Sequence, residues 1–274
     1  MKKINLILLG AFLVKSVFAG ETAPMPEPEV RLESFADYQD WAVNTGYPCG
    51  TLIPGGVDGI NQDSFRTLPG TDGYDSGRIV VGDSRCCQMG IYQQRACGDS
   101  FAVFATWGGH YKNSEPRLDT EEFYQSVEDC FHRQVEEKRT CSLYFFATVN
   151  DYDFVDNNNE ESIQRAVSCA EKLASMEYEY NGEVYNPTVT VIGIATGATD
   201  KPVLRYEPEQ FNRYGDEFNE LLKKAVTDSP VLNETAERWT TVPEILNNGI
   251  GFIDDGLHYD DTSLKALAEY VCEH

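Results

Sequence analysis

The chain is 274 residues long and carries 45 Asp and Glu against 22 Lys and Arg, a formal net charge of −23. With no surplus of cations to neutralise phosphates, nucleic acid is not expected as a partner. The same charge disfavours long-range encounter with polyanionic substrates such as pectate and suits neutral ones.

In chain order, residues 1–19 have the three parts of an export signal: basic Met1-Lys2-Lys3, an apolar run from Ile4 to Val14, and Val17-Phe18-Ala19 before Gly20. The apolar run is well short of the ~20 residues that span a bilayer, and no cysteine follows the cleavage point to carry a lipid. A secreted, extracellular protein with no membrane partner is expected. Cleavage removes Lys2, Lys3 and Lys15 and no acid, taking the charge from −23 to −26. Residues 20–32 form a Pro-rich acidic lead-in, expected to be extended, and residues 33–274 a single domain. A short helix is expected within 33–43. From Gly46 to Gly77 the density of Gly, Pro, Asp and Thr predicts a long ordered loop.

Ile79-Val80-Val81, closed by Gly82, reads as a buried parallel strand, and residues 85–94 after Ser84 as a helix. Phe101 to Thr106 is a second strand running into Trp107-Gly108-Gly109-His110. Thr120 to Lys138 carries Phe123, Val127, Cys130 and Phe131 at helical spacing, and Leu143 to Val149 is a third strand ending at Asn150-Asp151. A helix over 160–176, a β-branched strand over 188–195 and a helix over 207–226, with Phe211, Phe218, Leu221, Leu222 and Ala225 on its apolar face, come next. Asp255-Gly256-Leu257-His258 then precedes a final helix over 261–271. Strands alternating with helices predict a three-layer α/β/α fold with a mostly parallel central sheet.

The chemistry begins at the end of the chain. Side chains at i and i+3 of a helical turn lie about 5–6 Å apart at Cβ, so Asp255 can hold the Nδ1–H of His258 and leave Nε2 free as a base. These are two members of a serine-hydrolase triad. Open α/β sheets bind ligands at the C-terminal ends of their strands, and Ser84 stands there as the third. Helix N–H groups beside Ser84 favour an oxyanion, the glycines 108 and 109 let a backbone N–H approach a substrate, and Asn150 offers a side-chain amide.

Four blocks, Gly82-Asp83-Ser84, Gly108-Gly109, Asn150-Asp151 and Asp255-Gly256-Leu257-His258, resemble in kind and order those of the SGNH (GDSL-type) hydrolases, over residues 78 to 271. The resemblance implies a flavodoxin-like SGNH hydrolase fold, Ser84 as nucleophile, His258 as general base and then acid, and Asp255 as the orienter of His258. It implies an oxyanion hole of the Ser84 N–H, a glycine N–H from Gly108 or Gly109, with Gly109 preferred, and the Asn150 side chain. Arg85 stands where the family usually has Leu, and adjacent glycines followed by His110 depart from its second block. The implied function is a serine esterase acting on small acyl groups, acetyl foremost, of carbohydrate, without cofactor or metal. A monomer is expected. A lipase or thioesterase of the same family, or an inactive carbohydrate-binding or scaffold-associated protein on the same fold, are the alternatives.

Each residue also has a plainer role. Ser84 can cap its helix, Asn150 and Asp151 can form a turn, Asp255 can cap the last helix and His258 can pack. Their joint occurrence at strand ends weighs for catalysis. Eight cysteines (Cys49, Cys86, Cys87, Cys97, Cys130, Cys141, Cys169 and Cys272) in an exported chain suggest disulfides, with 105 possible pairings. Cys130 and Cys141 flank a helix end and a strand start, and the vicinal Cys86-Cys87 pair is expected to bond to separate partners. No C-x-x-C pair supports zinc. His110, His132 and His274 are expected at the surface. The acidic run 151–160 lacks the glycine of a calcium loop and has Val155 at a ligand position, so a solvated loop is expected. Asn233-Glu234-Thr235 matches an N-glycosylation acceptor.

Overall fold

The computed structural model describes residues 77–89, 101–105, 110–111, 118–151, 158–200, 203, 206–232, 238–247, 249–253 and 255–274. The segments expected over 1–19, 20–32 and 33–43, the loop up to residue 76, and Gly108, Gly109 and Asn233 lie outside them.

Strand β1 (Arg78–Gly82) sends Ile79 and Val81 to one face and Val80 to the other, and all three are fully buried. A strand wrapped on both sides must be apolar on both, which is why the sequence shows a continuous run instead of alternation. The same holds for β2 (Ala102–Ala105), β3 (Ser142–Phe146) and the second half of β6 (Thr188–Gly193). These pair in parallel with a short β7 (Trp239–Thr241) in the order β2-β1-β3-β6-β7. The register sets Ile79 between Ala102 and Leu143, and Leu143 against Val189.

Three long helices cover one face: α2 (Glu121–Lys138), α3 (Glu160–Ala174) and α4 (Pro208–Asp228). They bury Phe123, Phe131, Ile163, Leu173, Phe211 and Phe218 against Ile79, Val81, Phe104, Phe145 and Val191. The opposite face takes α1 (Ser84–Met89), α5 (Val242–Ile245) and α6 (Asp261–Glu273), with Cys86, Met89, Val242, Leu264 and Leu267 packed on Val80, Val103, Tyr144 and Ile192. The fold is therefore the three-layer α/β/α arrangement that the alternation predicts. A small antiparallel hairpin, β4 (Tyr178–Tyr180) and β5 (Glu183–Tyr185), turns through Asn181 and Gly182 at positive φ and precedes β6. Neither this hairpin nor β7 was expected: each strand is three residues long and none is buried, so neither leaves an apolar run to read.

Helix ends follow local chemistry. The Thr120 hydroxyl accepts the Phe123 N–H at 3.2 Å and starts α2, and Asp260 accepts the Ser263 N–H at 2.8 Å and starts α6. Asp255 is thus not the cap of the last helix. In α4 the expected apolar face is right at Phe211, Phe218 and Leu222, but Leu221 points outward and is 50 % exposed. Leu221 adjoins the stripe, and one position on a helix is a rotation of about 100°.

Four of the described cysteines depart from the disulfide expectation. Cys86, Cys130, Cys141 and Cys169 are buried thiols. Cys86 of the vicinal pair donates its S–H to the Val81 carbonyl instead of bridging to a separate partner, and burial pushes the thiols of Cys130 and Cys169 up to about 12. Cys272 is disulfide-bonded. Among the described residues, no helix is long and apolar enough to cross a membrane.

Candidate active site

In the order β2-β1-β3, the connection from β1 runs to one neighbour while β3 joins on the other side. The C-terminal ends of β1 and β3 therefore flank a crevice, the switch point at which doubly wound sheets bind ligands. Ser84 follows β1 and Asn150 follows β3, so the topology puts these two blocks side by side. Gly82 lets them close: a Cβ there would meet Cys86 Sγ at 2.4 Å and Phe146 Cβ at 3.1 Å.

Asp83, between them, is 2 % exposed and ties the two turns together. Its Oδ1 accepts the Arg85 N–H at 3.0 Å; its Oδ2 accepts the Val149 N–H at 3.3 Å and, at 3.5 Å, the Asn150 side-chain amide. Burial raises the Asp83 carboxyl above its ordinary range, and the Arg85 charge and N–H pull the other way. Asp151, fully buried, does the same for the second block. Oδ1 accepts the Tyr111 N–H at 2.7 Å and Oδ2 the Thr148 hydroxyl at 2.6 Å, while its carbonyl accepts Ser162 Oγ at 3.0 Å. Asp151 is thus a turn residue, as its plainer role has it, and also the link between the blocks after β2 and β3.

The Asp255–His258 segment is not the helical turn assumed from its spacing. It is a tight loop between Phe252 and Tyr259, which bridge, with Gly256 at φ +69°. Asp255 Oδ1 accepts the N–H groups of Leu257 (2.8 Å) and His258 (2.9 Å), which leaves Oδ2 to face the ring. His258 Nδ1 lies 2.5 Å from Asp255 Oδ2, and His258 Nε2 lies 3.2 Å from Ser84 Oγ. The Asp–His pairing inferred from the sequence is right, and its mechanism is a side-chain-capped turn. Burial alone would raise the Asp255 carboxyl, but its bonds to the His258 ring and backbone and the charge of that ring outweigh burial and hold it at about 2.

Ser84 and His258 are 3 % and 7 % exposed, 174 residues apart in sequence and in hydrogen-bond reach. With the carboxylate behind the imidazole, this is the geometry of a nucleophile, its base and the group that orients the base. Fold and triad together are SGNH-esterase-like. The SGNH-like triad supports a serine ester hydrolase mechanism. No protein-family model and no curated protein matches this chain. Solved structures are similar over 72 % of it: a carbohydrate acetylesterase from Sinorhizobium meliloti (10 % identity, 96 % of that chain, TM-score 0.49) and the native aryl esterase of M. smegmatis (12 % identity, 96 % of that chain, TM-score 0.48).

The support for the Asp255–His258 loop comes from residues that carry no motif in the sequence. In α4, Asn219 brackets Ile194 through both its N–H (3.0 Å) and its carbonyl (2.8 Å), and Asn212 accepts the Gly197 N–H at 2.6 Å. The Ala198 N–H then donates to the Gly256 carbonyl at 2.8 Å, inside the Asp–His turn. Both asparagines directly follow an inward-facing Phe, the one signal that could have found them. His110, expected at the surface, is buried, and its carbonyl accepts the Leu118 N–H. His132 stacks on Tyr178 at 4.0 Å, and His274 is exposed.

Proposed function

We propose that this protein is a secreted single-domain serine esterase that removes small acyl groups, acetyl foremost, from carbohydrate or a similar neutral alcohol. The observation that carries the hydrolytic reading is the continuous Ser84–His258–Asp255 chain of hydrogen bonds at the sheet's switch point. Ser84 Oγ attacks the ester carbonyl while His258 Nε2 takes its proton, and the same nitrogen returns that proton to the departing alcohol. Water, deprotonated by His258, then attacks the acyl-enzyme, and the acid leaves with Ser84 restored. The oxyanion is held by the Ser84 N–H, the Gly109 or Gly108 N–H and the Asn150 amide. Asp83 holds that amide from behind, and Asp151 fixes the chain that follows the glycines. The acetyl and carbohydrate preference is supported by the four-block resemblance and by an acidic chain's preference for uncharged substrates. Secretion is supported by residues 1–19.

The test is hydrolysis of p-nitrophenyl acetate and p-nitrophenyl octanoate by the protein and by Ser84→Ala, with acetate release from acetylated xylan measured alongside. Turnover that Ser84→Ala abolishes, acetate faster than octanoate, and acetate freed from xylan are expected. Faster octanoate turnover would make it a lipase. Equal rates in both proteins would remove Ser84 from the mechanism.

A further inference from the structure

We infer that Arg85 is a positioning residue for this reaction, a guanidinium clamp that sets the His258 turn against the Ser84 turn; the inference rests on the esterase reading above. Arg85 directly follows the nucleophile, yet its side chain is buried at 5 % exposure and does not turn to solvent. Nη1 donates to the Ala195 carbonyl at 3.0 Å, just past β6. Nη2 donates to the Leu257 carbonyl at 2.8 Å, between Asp255 and His258. The guanidinium carbon lies 4.6 Å from the centre of the Tyr259 ring, the residue after His258. Its own N–H is fixed by Asp83 Oδ1 at 3.0 Å, so the arm is anchored at its root.

One side chain thus joins the nucleophile turn, the end of β6 and the loop that carries the acid and the base. A buried guanidinium is costly unless its donors are met; Nη1 and Nη2 are met, Nε is buried without a hydrogen-bond partner, and an aliphatic side chain would fill the same space without that cost. What an aliphatic side chain cannot do is bond two carbonyls from separate segments. Lysine, a point charge without the planar fork, cannot hold both in the same geometry. Because Leu257 lies inside the Asp255–His258 turn, a shift of its carbonyl moves both catalytic side chains, and the 3.2 Å Ser84–His258 contact is the distance that suffers. The Arg85 charge lowers the Asp83 carboxyl, against the burial that raises it.

Arg85→Met and Arg85→Lys test this against p-nitrophenyl acetate, with folding checked by urea melts and the deshielded proton of the His258 Nδ1–Asp255 bond followed by NMR. The Met variant is expected to lose about 10²-fold in kcat, the scale of a small misplacement of reacting groups, with KM held within about twofold. The Lys variant falls between it and the parent. The His258 proton moves or broadens in Arg85→Met but persists in Ser84→Ala. A folded Arg85→Met with kcat within about twofold of the parent and an unmoved proton overturns the clamp. If Arg85→Met does not fold, Arg85→Lys decides by the same two readouts. If the parent hydrolyses no ester, the esterase reading fails separately, and the proton alone judges Arg85: unmoved, the clamp is wrong; moved, it stands.

Discussion

Asp151→Ala takes the acceptor from two groups at once, the Tyr111 N–H and the Thr148 hydroxyl. A buried donor left unsatisfied costs about 1–3 kcal/mol, so a loss of unfolding free energy of at least that much, seen as a lowered urea midpoint, is expected, with esterase activity falling as the chain after the glycines loosens. Unchanged stability would mean that Tyr111 finds another acceptor. Asp255→Asn keeps the size of the side chain but presents the wrong partner to Nδ1, and a fall of about 10⁴-fold in kcat is expected, as when the same change is made in other triads. The pH dependence of folding follows in sign. The Asp255 carboxyl sits at about 2 in the folded chain against an ordinary 3.8, so its ionisation stabilises fully above about pH 4 and is lost as pH falls towards 2. Urea midpoints should therefore drop more steeply over that interval in the parent than in Asp255→Asn; parallel slopes would contradict the assignment. At this scale Ser84, His258 and Asp255 were legible in sequence, because each lies in a short segment of distinct composition. Arg85 and Asp83 were not, because their partners are backbone groups from β6, the loop after β3 and the His258 turn.

At the scale of elements, α4 does two jobs with one helix. Its apolar stripe, Phe211, Phe218 and Leu222, seals one face of the sheet. Phe218→Ala should cost about 3–5 kcal/mol through the cavity it leaves, whereas Leu221→Ala, at a half-exposed site, should stay within about 0.5 kcal/mol of the parent. Both are read from urea melts, and equal losses would mean the helix is rotated from its described seat. Its second job belongs to Asn212 and Asn219, which pin residues 194–198 and through Ala198 the turn that carries His258. Helical period located the stripe, since it depends on the chain alone. It is silent about polar residues beside the stripe, whose value depends on what the neighbouring loop presents.

At the scale of the molecule, the two faces of the sheet enclose separate apolar clusters, and the thiols of Cys130, Cys141 and Cys169 all lie in the one under α2, α3 and α4. Raised by burial, they stay protonated and inert at neutral pH. Alkylation by iodoacetamide, mapped by mass spectrometry, should spare these three in the native protein and label them once urea opens the core. Labelling under native conditions would show that this face of the sheet is open. Their failure to bridge was beyond the reach of cysteine counting. An even number says nothing about which side chains are sealed apart within a core.

What the sequence by itself determined is the set of parts: four apolar runs that must be buried strands, long helices with one apolar face, and a serine, an Asn-Asp pair and an Asp-His pair at loop positions. Those are local properties, fixed by side-chain transfer energies and by the periods of strand and helix. The tertiary structure alone decided the order β2-β1-β3-β6-β7, hence which strand ends face one another. It also decided that the Asp255–His258 turn is set against Ser84 and that Arg85 faces inward. These are matters of pairing between segments up to 174 residues apart, and a local pattern states how strongly a residue seeks burial without naming the neighbour it will be buried against.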